Sequence, residues 1–146
     1  MSDFELIGSS DAVAALARAI GRMGRVDFRR ELLAEMADEA LRLVREEFFV
    51  SRDPYGMPWA PLKRQRFGAG PLLRTGRMQG RIRRRVFGDG FALMSPVEQS
   101  TFHQYGTRKM VARPIFPDPE HLPPEWERAF ERIADEAVTR ALAGAV

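Results

Sequence analysis

Apolar residues recur at helical spacing along residues 27–50: Phe28, Leu32, Leu33, Met36, Ala40, Leu41, Val44 and Phe48. This period predicts one long amphipathic helix, DFRRELLAEMADEALRLVREEFFV, that starts at Asp27 and carries charged residues on its other face. A weaker pattern precedes it. Ser10 and Asp11 can cap a short helix with Val13, Leu16, Ala17 and Ile20 on one face, interrupted by Gly21 and Gly24. Residues 1–26 thus read as an N-terminal extension or short helix. A second strong pattern closes the chain in EWERAFERIADEAVTRALA, where Trp126, Phe130, Ile133, Ala137 and Leu142 fall near one face. Pro124 suits the first turn of that helix.

Between the helices the pattern breaks. In SRDPYGMPWAPL (Ser51 to Leu62), Pro54 disfavours a helical Asp53 and so ends the long helix. The prolines and Gly56 steer Trp59 back toward the core, where its indole N–H is expected to meet a carbonyl. Residues 61–76 are polar and irregular, with Gly68 and Gly70 as flexible points and PLLRTGRM as a short turn. GRIRRRVFGDGFALM reads as a β-hairpin: two β-prone runs flank Gly88-Asp89-Gly90. Pro96 to His103 predicts a short helix ended by Gly106, and Ala112 to Phe116 an extended stretch. Pro117, Pro119, Pro123 and Pro124 form a rigid linker. The expected fold is α+β: a long N-terminal helix and a C-terminal helix packed on a small antiparallel sheet, as one domain over residues 1–146.

Charge divides the chain into three. Residues 1–59 carry 8 Lys+Arg against 11 Asp+Glu, residues 60–113 carry 12 against 2, and residues 114–146 carry 3 against 7. The net charge of +3 therefore hides a basic block between acidic flanks. Such a block attracts nucleic acid or an acidic protein surface. If 81–87 is a strand, Arg81, Arg83, Arg85 and Phe87 share one face, and Ile82, Arg84 and Val86 share the other. Three arginines on one face would touch phosphates without reading sequence. No apolar run reaches the roughly 20 residues of a bilayer span. With 0 cysteines, disulfides and thiolate metal sites are excluded.

Catalytic motifs are missing: no H-E-x-x-H, G-x-S-x-G, Walker loop or G-x-G-x-x-G is present. Glu46 and Glu47 are adjacent at a helix end, do not share a face, and read as solvated. His103 reads as a hydrogen-bonded structural histidine rather than a base. Trp126 and Phe130 read as core. These readings predict no enzyme, with no catalytic, metal-ligating or cofactor-binding residue.

Four motifs, in order and spacing, resemble one family: the phage virion morphogenesis proteins, also called tail completion proteins, of Mu-like and P2-like phages. Asp53-Pro54-Tyr55-Gly56-Met57-Pro58-Trp59, followed by Ala60, Pro61 and Leu62, resembles D-x-x-G-x-x-W-x-P-L after the family's first long helix. Leu73-Arg74-Thr75-Gly76-Arg77-Met78 is similar to L-x-D-T-G-R-L, His103-Gln104-Tyr105-Gly106 to H-Q-F/Y-G, and Ala112-Arg113-Pro114 to A-R-P-F. The sequence departs at Arg74, where an acidic residue is common, and at Ile115, where phenylalanine is usual. The resemblance spans residues 27–140. It implies a non-enzymatic structural protein of the virion, assembled in the host cytoplasm. Such a protein acts in tail completion and head–tail joining as a homo-oligomeric ring at the neck or tail end. Its partners would be the tail tube, the tail terminator or the head–tail connector, with non-specific contact to packaged DNA. On this reading Asp53, Gly56, Trp59, Thr75, Gly76, His103, Gln104, Gly106 and Pro114 mainly set the fold. Arg81, Arg83, Arg85, Arg108 and Arg113 face a partner or the DNA channel. Two rivals remain: a non-specific DNA-binding accessory protein of phage or prophage origin, and a small hydrolase or nuclease using His103.

Overall fold

A computed structural model describes residues 18–63, 77–88 and 90–144. Its elements are α1 (Val26–Val50), α2 (Arg77–Arg81), the strands β1 (Arg83–Phe87) and β2 (Gly90–Met94), α3 (Gln99–Tyr105) and α4 (Pro124–Ala143). The arrangement is the expected α+β one, with long N-terminal and C-terminal helices flanking a two-stranded antiparallel sheet. The expected caps Ser10 and Asp11 lie outside the described residues, as do Gly68, Gly70, Arg74, Thr75, Gly76 and Asp89. Residues 18–23 are helical, so Gly21 does not interrupt that segment. The break falls at Gly24, whose N–H returns to the Ile20 carbonyl at 3.0 Å.

Helix α1 carries Asp27 in its first turn, where a carboxylate complements the positive end of the helix dipole. It ends at Ser51, which is left-handed (φ 54°) and donates its N–H to the Glu47 carbonyl. Pro124 opens α4, Glu125 and Glu127 occupy its first turn, and Arg140 its last, all favourable to the dipole. The buried stripe of α4 is Trp126, Ala129, Ile133, Ala137 and Ala141. Leu142, expected on that face, is 39% exposed. Four residues per step keep Ala141 in line below Ala137, and a fifth rotates Leu142 outward. Cross-links Arg132–Glu39 (3.5 Å) and Arg140–Glu35 (2.8 Å) show that α1 and α4 run antiparallel. The Arg42 hydrogen bond, helped by Arg132, holds the Glu39 carboxyl below its ordinary range.

The hairpin pairs Arg83 with Met94, Arg84 with Leu93, Arg85 with Ala92, Val86 with Phe91 and Phe87 with Gly90. Only two residues lie between the closing pair, the spacing of a tight hairpin turn. The strand begins later than expected, because Arg81 closes α2 instead of sharing the strand. Two anchors impose this. The Gln79 amide donates to the Arg45 carbonyl (3.2 Å), and Ile82 is fully buried. From Arg83 onward the alternation holds. Arg84 turns toward α1 and pairs with Asp38, while Arg83, Arg85 and Phe87 are exposed.

The core joins α1, the loop after it, the hairpin and α4. Val44, Phe48, Ile82 and Ile115 are its largest fully buried side chains among the described residues, with Leu43, Trp59 and Trp126 beside them. Edge-to-face ring pairs tie α1 to the loop after it (Phe48–Trp59, 5.4 Å) and the hairpin to α4 (Phe91–Phe130, 5.8 Å), and Trp126 meets Phe130 in the same way within α4 at 6.1 Å. Among the described residues no helix is long and apolar enough to cross a membrane.

Candidate functional site

Three stretches far apart in sequence meet along one polar seam. Trp59 is 5% exposed, and its indole N–H donates to the Pro114 carbonyl at 2.9 Å. Arg113 returns the connection: its Nε–H donates to the Ala60 carbonyl (2.7 Å) and an Nη2–H to the Pro61 carbonyl (3.0 Å). The Arg113 backbone N–H donates to the His103 carbonyl at 2.7 Å. The Gln104 side-chain oxygen accepts from the Ile115 and Phe116 N–H groups (2.8 and 2.9 Å), and its amide N–H donates to the Phe116 carbonyl (2.8 Å). Residues 112–116, expected to be extended, have no strand partner among the described residues. The Gln104 amide stands in for one, satisfying main-chain groups that burial would otherwise leave unpaired.

The loop that aims Trp59 is built locally. The Asp53 carboxylate accepts from the Tyr55 and Met57 N–H groups, both at 2.9 Å, and Gly56 sits at φ 86°. The Trp59 N–H closes the turn on the Ser51 carbonyl at 2.8 Å. The Tyr55 hydroxyl donates to the His121 carbonyl (3.0 Å) and accepts from the Asp118 N–H (2.9 Å), fastening the loop to the proline-rich linker. Gly106 ends α3 at φ 75°, where an added Cβ would lie 3.0 Å from the Ala112 nitrogen.

Two expectations are corrected here. Arg113 was assigned to a partner or DNA surface, yet it is 7% exposed and its guanidinium is held by backbone carbonyls. Its five donors suit two adjacent carbonyls better than any point cation would. His103 reads as hydrogen-bonded, but its Nδ1 is buried without a partner among the described residues. Burial, and then the Arg113 charge, push its pKa down and favour the neutral ring.

The remaining sequence-assigned arginines are exposed: Arg81 at the end of α2, Arg83 and Arg85 on the outer face of β1, and Arg108 after α3. Arg83 hydrogen-bonds the Gly80 carbonyl at 2.6 Å, and none of the four forms an ion pair among the described residues.

A third residue also departs from the sequence expectation. Glu47, which reads as solvated, is 7% exposed, and its Oε2 has no hydrogen-bond partner among the described residues. Burial, reinforced by the nearby charges of Asp53, Glu125 and Glu46, pushes its pKa up to about 9, opposed by the Trp126 indole. The signal was present in the spacing: Glu47 follows Leu43 and Val44 by four and three residues, on the stripe of Ala40. Glu47 lines a cleft of about 100 Å³ at the C-terminal end of α1, together with Leu43, Glu46, Val50, Arg52, Asp53 and Glu125. Among the described residues no three His, Asp or Glu side chains converge closely enough to hold a metal ion.

Fold and site together define a small α+β scaffold with a hydrogen-bonded seam, a basic sheet face and an acidic cleft. Comparison of the chain with protein-family models, curated proteins and solved structures returns no match.

Proposed function

We propose that this chain is a structural phage assembly protein that acts in tail completion and head–tail joining, as a ring at the neck or tail end of the virion. One observation carries the reading. Three of the four motifs behind the resemblance, at 53–62, 103–106 and 112–114, interlock through the seam. Their side chains hold backbone carbonyls and N–H groups, so they specify a shape rather than a reaction. The exposed arginines and acidic helix faces are left for contacts between subunits, and unlike surfaces that join head to tail close into rings. Native mass spectrometry and negative-stain imaging of the purified chain, alone and with tail-tube and connector proteins, test this. Closed homo-oligomers are expected. A monomer at every concentration and in every mixture would overturn it.

The exposed arginines favour one alternative, non-specific DNA binding. Neutralising three phosphates would give a slope of log affinity against log salt of about −3. No binding of duplex DNA at low salt removes that alternative.

A further inference from the structure

The cleft at the end of α1 is unusual in what it buries. An isolated carboxylate is costly to remove from water unless a donor or a cation meets it. Glu47 is nevertheless nine-tenths buried with Oε2 unpartnered, and it opens onto a cavity walled by Asp53 from the following loop and Glu125 from α4. Among the described residues one base, Arg52, lines the same space, and its guanidinium lies 3.4 Å from the Gly56 carbonyl. The half-exposed Val50 and the buried Leu43 and Trp126 complete the walls. The cleft thus combines acidic and apolar walls, with four carboxylates against one guanidinium.

That chemistry suits a cation carried on an apolar stem. A bare metal ion fits less well, because it needs several converging oxygens and the described residues hold no such group. A planar guanidinium needs one or two carboxylates, and its methylene stem lies well against apolar walls. A space of about 100 Å³ matches a side-chain head group rather than a larger ligand.

The same molecule displays such side chains. Arg83 and Arg85 are exposed on the outer face of β1 and form no ion pair among the described residues. They cannot reach the cleft of their own chain. Arg84, between them, is pinned to Asp38 of α1, so its neighbours point away from that helix. Asp38 also lies roughly 13 Å along the α1 axis from Glu47 by helix rise. We propose that the Glu47–Asp53–Glu125 cleft is a socket for an arginine of a second copy of this chain, presented by the Arg83–Arg85 face of β1. The proposal rests on the oligomeric reading above and names the contact that builds it.

In the free subunit Glu47 holds its proton at neutral pH, under the charges of Glu46 on α1, Asp53 on the loop and Glu125 on α4. Among the described residues, Arg52 is the cation lining the cleft and Trp126 the donor to the carboxyl. Entry of a guanidinium favours the carboxylate, and the proton leaves to solvent. The complex binds fewer protons than the free subunits. Association therefore strengthens as pH rises toward 9, by up to about tenfold per unit for one proton per contact.

Sedimentation velocity between pH 6.5 and 8.5 tests this on wild type, Glu47→Gln, Glu125→Gln and an Arg83→Ala/Arg85→Ala double variant. Glu47→Gln and the double variant are expected to weaken self-association at least about tenfold, and Glu125→Gln by less. Glu47→Gln should also abolish the pH dependence. Mixing Glu47→Gln with the double variant leaves one intact socket and one intact arginine face per pair, so the mixture should form heterodimers that do not extend. The variants on the exposed strand keep the test informative even if a cleft variant misfolds. A wild type that assembles while the variants assemble equally well overturns the socket alone. A wild type that never assembles overturns the oligomeric reading and the socket with it. Titration with Mg2+ that saturates the wild type but not Glu47→Gln would replace the socket with a cation site.

Discussion

Replacing Trp59 with alanine removes the largest side chain of the loop from a fully formed setting. The ring is 5% exposed, meets Phe48 edge to face at 5.4 Å, and donates to the Pro114 carbonyl at 2.9 Å. Truncating a buried tryptophan costs about 3–5 kcal/mol through lost transfer energy and the cavity left behind. Two contributions lie within that figure: about 1 kcal/mol for the edge-to-face pair and about 1 kcal/mol for the hydrogen bond. Against a domain stability of about 5–15 kcal/mol, the variant should remain folded but clearly weakened. Trp59→Phe separates the parts. It keeps a ring against Phe48 and strands the Pro114 carbonyl, for a loss of about 1–3 kcal/mol. Urea denaturation followed by circular dichroism gives both values from shifts in midpoint at constant m. A Trp59→Ala variant within 1 kcal/mol of wild type would refute the role of the seam as a framework. If that variant unfolded normally yet failed to assemble, Trp59 would be a partner contact instead.

Arg113→Met, which keeps the stem and deletes the donors, should destabilise by about 2–3 kcal/mol in the same assay, because the Ala60 and Pro61 carbonyls lose charge-assisted partners; Arg85→Ala should change stability by less than about 0.5 kcal/mol. Glu47 and His103 give opposite pH signatures in thermal melts. The Glu47 pKa is raised to about 9 from 4.5, so its contribution is present below 4.5 and is lost as pH rises toward 9; Glu47→Gln should therefore stabilise the subunit at pH 8 and flatten that slope. The His103 pKa is lowered from 6.5, so stability falls as pH drops below that value, a slope that His103→Gln removes. Gly106→Ala should cost about 1–3 kcal/mol, since φ 75° and the close Ala112 nitrogen both oppose a Cβ; an unchanged melting temperature would show that α3 can end another way.

The two long helices were legible because their burial is periodic and their ends are punctuated by Asp27, Pro54 and Pro124. The hairpin was legible from its glycines, although its start was not. Arg81 reads as part of a uniform arginine run, and only the docking of Gln79 on α1 and the burial of Ile82 divide helix from strand. Long-range partners account for the other differences. Residues 112–116 look like a strand in isolation, yet their main chain is satisfied by a glutamine side chain that no local pattern reveals. Arg113 resembles its basic neighbours until the carbonyls of Ala60 and Pro61 are brought to it. Glu47 was misread because charge outweighed position: its place on the apolar stripe pointed inward, and burial followed the stripe.

The seam has a topological consequence. Residues 59–61 and 113–116, which it ties together, sit at the two ends of the basic block. The intervening chain is therefore a loop closed at the seam, and it is docked a second time through the hairpin, where Ile82 is buried, Gln79 bonds the Arg45 carbonyl and Arg84 pairs with Asp38. Lengthening such a loop is thermodynamically mild: doubling it adds only about 0.6 kcal/mol of closure entropy. Insertions that spare the hairpin should thus leave the helical frame standing, whereas a change at Ile82 or at the seam reaches the core. The seam and the docked hairpin are separate fastenings, so the surface can vary between them while the residues at each stay fixed by the core.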